Sequence, residues 1–107
     1  MSKGKSDDFE YINEVTLLGR ASAPAMEKEL PSGDKVVEIR IVIGRDDRDG
    51  YDTFDLAFWS SALRKQALTL SDDEWIEVTG TLRRRFWRAG NTIASRWQVE
   101  GRELRRV

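Results

Sequence analysis

The sequence contains neither cysteine nor histidine. Disulfides, zinc sites built on thiolate or imidazole, cysteine nucleophiles and every triad that uses imidazole as its base are thereby excluded. No catalytic role, cofactor or metal is expected. No apolar run approaches the roughly 20 residues needed to cross a bilayer. The opening Met1-Ser2-Lys3-Gly4-Lys5-Ser6-Asp7-Asp8 has no hydrophobic signal region, so a cytoplasmic location is expected. A large charge excess is lacking too: the formal net charge is −1, which argues against a simple polycation.

That total hides an asymmetry. Through Trp75 there are 10 Lys or Arg against 16 Asp or Glu, and from Ile76 onward 8 against 3. A basic segment of this kind is a local electrostatic footprint that holds phosphates even in a neutral chain. A chain of 107 residues has the size of one domain with one hydrophobic core. We expect a flexible tail over residues 1–10 and a single domain over 11–107.

Alternation of apolar and polar residues sets the elements. Tyr11 to Arg20 reads as a first strand with Val15, Leu17 and Gly19 on one face. Ala21 to Asp34 reads as irregular, broken by Pro24 and by a turn at Pro31-Ser32-Gly33-Asp34. Lys35 to Gly44 is the clearest strand, with Val37, Ile39, Ile41 and Ile43 aligned. A loop with Asp49-Gly50 at its return leads to a third strand, Thr53 to Trp59. Its core side is Phe54, Leu56 and Phe58, so Trp59 points away from the core. Ser60 to Leu70 has a capping serine and helical spacing. A fourth strand from about Trp75 places Ile76, Val78, Gly80 and Leu82 inward and runs on through Arg83-Arg84-Arg85-Phe86-Trp87-Arg88. After a turn at Ala89-Gly90-Asn91, a last strand spans at least Ile93 to Val99. The class is all-β: five strands, with one short helix between strands three and four.

The fourth strand carries the functional signal. Period-two alternation puts Arg83, Arg85 and Trp87 on the face opposite the core, and Trp59 faces the same way. Guanidinium groups meet phosphates and indole faces stack on unpaired bases, so this surface suits a single strand of nucleic acid, with no preference among bases. Arg40, Arg83, Arg85, Arg88 and Arg96 are the candidate phosphate contacts. Trp75 and Trp97 are read as packing or subunit contacts, the commoner fate of large aromatics in a small barrel. Asp46, Asp47, Asp49, Asp52 and Asp55 lack the alternate-position spacing of a calcium loop and are read as a polar hairpin rather than a metal or nuclease site.

Taken in order, four segments resemble the bacterial single-stranded DNA-binding proteins of the OB-fold type. They are Asn13-Glu14-Val15-Thr16-Leu17-Leu18-Gly19-Arg20, Leu30-Pro31-Ser32-Gly33 with Val36 to Arg45, Asp55-Leu56-Ala57-Phe58-Trp59, and Trp75 to Trp87. The resemblance implies a five-stranded OB barrel that binds single-stranded DNA without catalysis in replication, recombination or repair. It also implies that Trp87 and Trp59 stack on bases and that the chain is a homo-oligomer, a tetramer or a dimer. Thr53 and Asp47 stand where the family often has stacking aromatics. The family's acidic C-terminal tail, which recruits repair enzymes, has no counterpart before Arg105-Arg106-Val107; a short paralogue or the DNA-binding core of a longer protein is expected. The competing reading is an OB-fold subunit used for protein association, with weak or no DNA binding.

Overall fold

A computed structural model describes residues 8–107. The greater part of the tail expected over residues 1–10 lies outside the described residues. Five strands and one helix follow in the order β1 (Val15–Glu29), β2 (Lys35–Gly44), β3 (Tyr51–Phe58), α1 (Ser61–Leu68), β4 (Trp75–Ala89) and β5 (Thr92–Arg106). The strands close into a barrel in the order β1-β2-β3-β5-β4, as expected for an all-β chain with its helix between β3 and β4. Closure rests on a short parallel contact, Leu56 opposite Val99 and Ala57 opposite Glu100. It leaves the barrel wall without an unpaired edge.

The inward residues of each strand make the core. Val37, Ile39 and Ile41 of β2, Leu56 and Phe58 of β3, Ile76 and Val78 of β4, and Val99 and Leu104 of β5 form one buried cluster with Ala21, Ala67 and Leu70. Val99 and Leu104 differ in parity, yet both point inward. Gly80 faces Gly101 while Thr79 faces Glu103, so Arg102 is an extra residue whose bulge inverts the alternation. The helix starts at Ser60, whose side chain accepts from the Leu63 amide. It docks on β5 through Gln66 Nε2, which donates to the Leu104 carbonyl at 2.8 Å.

Several bounds and residues differ from the sequence expectation. β1 begins at Val15 rather than Tyr11, and β3 spans Tyr51–Phe58 rather than Thr53 to Trp59. Phe54, expected on the core side, is 40% exposed because β3 meets β5 only from Leu56 onward. β1 continues through Pro24 to Glu29, pairing with β4 over Val15–Arg20 and with β2 from Arg20 onward. Pro24 has no N–H to give the ladder, and the register shifts between Ser22 and Met26 without ending the strand. β5, expected over at least Ile93 to Val99, runs on to Arg106 in keeping with that reading, because its far half is the partner of the start of β4. Leu82 has inward parity but is exposed, since the β4–β5 hairpin outruns the barrel there and becomes a free arm that turns at Gly90, φ 64°.

A Cβ at Gly80 would collide with the carbonyl oxygen of Glu100, a backbone atom that cannot swing aside. Gly80→Ala is expected to cost about 1–3 kcal/mol in urea unfolding, and a wild-type midpoint would contradict this register.

Candidate nucleic-acid interface

The arm turns one face toward the outer surface of β1 and β2, and a groove of about 680 Å³ lies between them. Arg85, Trp87, Arg96 and Gln98 line it from the arm, Arg40, Glu38 and Asp55 from β2 and β3, and Ser22, Pro24, Met26 and Lys28 from the second half of β1. Cross-strand register explains the arm side. Trp87 is opposite Ala94, whose small side chain leaves the indole room, and Arg85 is opposite Arg96. Trp87 is 44% exposed, with the Arg96 guanidinium carbon 6.0 Å from its ring centroid.

Two arginines directly opposite each other repel, and the barrel wall offsets this with two carboxylates. Asp55 takes Arg96 at 3.3 Å and Arg40 at 3.1 Å. Glu38 takes Lys28 at 2.8 Å and lies 3.9 Å from Arg85. Gln98, the one buried polar side chain among the described residues, connects the two sides. Its amide nitrogen donates to Glu38 Oε2 at 2.9 Å, and its oxygen accepts from Arg85 at 3.1 Å. Four cations thus face two carboxylates, and the groove keeps a positive excess on side chains already held in place.

Burial pushes the Glu38 carboxyl up, but the hydrogen bonds from Lys28 and Gln98 and the charges of Lys28 and Arg85 outweigh it, so the group titrates below its ordinary 4.5. A depressed carboxylate stabilises the fold above its unfolded pKa, and the contribution is lost as pH falls through the folded value.

Of the residues expected at the site, Arg40, Arg85, Trp87 and Arg96 line the groove. Arg83 lies on β4 and pairs with Glu100 at 3.3 Å. Arg88 sits opposite Ile93 on the other face of the arm, by the same alternation that turns Trp87 toward the groove. Trp59 follows β3 rather than ending it, is half-buried, and has the Arg85 guanidinium carbon 5.7 Å from its ring centroid. It is therefore not the open platform expected of it; Arg85 covers the ring. The residues missed are Ser22, Pro24, Met26 and Lys28, together with Ile39, the acidic partners Glu38 and Asp55, and Gln98. The signal for the first four was present, since Ala21, Ala23 and Ala25 alternate with them. Of the loop aspartates, Asp52 is held by Arg45 at 2.8 Å and Asp47 by Arg48 at 3.3 Å.

No protein-family model and no curated protein sequence matches the chain. Among solved structures, the chain is similar to the Plasmodium falciparum SSB in its complex with ssDNA. The TM-score is 0.74 at 18% identity, over 94% of this chain and 99% of that one. The fold is the OB fold. Its curved outer surface, bounded by the β4–β5 arm, is where the groove described above lies.

If Glu38 holds the two sides of the groove together, Glu38→Gln should cost about 1 kcal/mol of unfolding free energy at neutral pH. The gap to wild type should close as pH drops below 4.5. A gap that stays constant through acid titration would remove Glu38 from this role.

Proposed function

We propose that this protein binds single-stranded DNA without base-sequence preference and without catalysing a reaction, serving replication, recombination or repair in the cytoplasm. The observation that carries the reading is the groove itself: an exposed Trp87 ring beside Arg40, Arg85, Arg96 and Lys28. The OB fold shared with a protein solved on ssDNA supports it.

In this reading a base stacks on Trp87 while its flanking phosphates meet Arg96 and Arg40. Stacking accepts every base, because each has a π-face. Asp55 and Glu38 hold the cations in position and are exchanged for phosphate oxygens as the strand enters. A phosphate that draws Arg85 away from Trp59 uncovers a second stacking face. Arg83 extends the positive border of the arm beyond the groove, while Arg88, on the reverse face, takes no part in it.

The opposite face of the arm favours adding self-association. Leu82, Phe86, Ile93 and Trp97 are all exposed there, with Arg84 lying over the Phe86 and Trp97 rings, a largely apolar surface of the kind that a second copy of the chain covers. Light scattering should give a mass that is a multiple of 12.3 kDa, falling toward one chain in Phe86→Glu; a monomeric wild type contradicts the assembly.

Titration with oligo-dT tests the main reading. Tryptophan fluorescence should be quenched, and log affinity should fall with log salt at about −0.7 per phosphate neutralised, to a limit of about −3 if all four groove cations engage. Trp87→Ala should lose about 1–3 kcal/mol on dT and dA tracts alike, and Trp59→Ala less. Binding that is absent, or indifferent both to salt and to Trp87, overturns the reading.

A further inference from the structure

The groove does not end the outward surface of the barrel. The pair Ser22–Arg40 and the pair Arg40–Asp55 form its floor; two residues further along each strand, about 7 Å, the same face carries Arg20, Val42 and Thr53 in one cross-strand row. Trp75 completes that row as the cross-strand partner of Arg20 on β4. Tyr51 stands one rung beyond, its ring lying over Gly44, which has no side chain to displace it.

These three side chains form a cluster of their own. The Arg20 guanidinium carbon is 5.8 Å from the Tyr51 ring centroid and 6.0 Å from that of Trp75. Both rings are open, Tyr51 at 61% and Trp75 at 52% exposure. Arg40, Arg85 and Arg96 each have a carboxylate partner in the groove, whereas no ion pair of Arg20 occurs among the described residues. The acids next to the two rings in sequence are occupied elsewhere, Glu74 beside Trp75 by Arg106 and Asp52 beside Tyr51 by Arg45. An aromatic pair around an uncommitted guanidinium presents stacking faces and a phosphate donor together, the combination that holds an unpaired nucleotide.

We propose that Tyr51, Arg20 and Trp75 form a second nucleotide-binding platform, over which a single strand of DNA continues after leaving the groove across Val42 and Thr53. The inference rests on the groove being a single-strand site and extends its length. Trp75, expected from sequence to pack or to bury between subunits, instead marks the far end of the path. Only strands long enough to span both sites engage it.

Anisotropy of labelled dT oligomers, from about 4 to 16 nucleotides, the range covered by OB folds, tests this without relying on tryptophan emission. For Trp75→Ala/Tyr51→Ala the ratio of wild-type to variant affinity should rise with length, reaching about fivefold or more on the longest strands and staying close to unity on the shortest. Tyr51→Ala alone, at an exposed loop edge, should show the same trend if the double variant is unstable. Arg20→Gln should flatten the salt dependence on long strands only. A ratio that does not change with length, whether near one or large, overturns the platform. Where Trp87→Ala still weakens short-strand binding in that event, the groove stands and the extension alone falls; if wild type binds no oligomer of any length, both fall.

Discussion

The parallel contact between β3 and β5 governs everything outside the core. It is short, Leu56 to Val99 and Ala57 to Glu100, and it fixes the point at which the 15-residue strands β4 and β5 leave the barrel wall. Beyond it the two strands have only each other, and their alternation continues with no core to serve. Residues that would be inward become one exposed face of an arm, and residues that would be outward become the wall of a groove. A change of one residue in that register would move Trp87 to the wrong side.

The groove combines rigidity with a charge surplus. Arg85 and Arg96 oppose each other across the arm, a repulsive pair that a purely structural hairpin has no reason to keep. Asp55 and Glu38 offset the repulsion from the barrel side, and Gln98 joins the network across the gap. The cations are thus held in place before any ligand arrives, which lowers the ordering cost of binding. Because the carboxylates are fewer than the cations, an incoming phosphate still finds net attraction. The same economy explains how a chain of net charge −1 presents a basic surface: its acidic excess lies elsewhere, much of it in the Arg45–Asp52 loop, where arginines hold two of the aspartates.

Period-two reading carried far where strands were regular. β2 was legible from Lys35 to Gly44 because both its faces are unambiguous, and the orientation of Arg85 and Trp87 followed from counting outward from Ile76 and Val78. It failed where the alternation is physically interrupted. Pro24 looked like a terminus although β1 absorbs it with a register shift, and that hid Met26 and Lys28 from the groove. The bulge at Arg102 inverts parity, which no local pattern announces. Trp59 was rightly turned away from the core, but its cover by Arg85 depends on how the arm packs, and packing between distant strands has no signature in either segment alone.

The central claim is that one strand of DNA lies on the groove face of the arm, with Trp87 against a base. Backbone and indole NMR shifts on addition of oligo-dT test it most directly. The account predicts the largest changes at the Trp87 indole and at Arg85, Arg96 and Arg40, with Phe86 and Ile93 on the reverse face nearly still. Shifts concentrated at Phe86, Ile93 and Trp97 instead, with Trp87 unmoved, would contradict it.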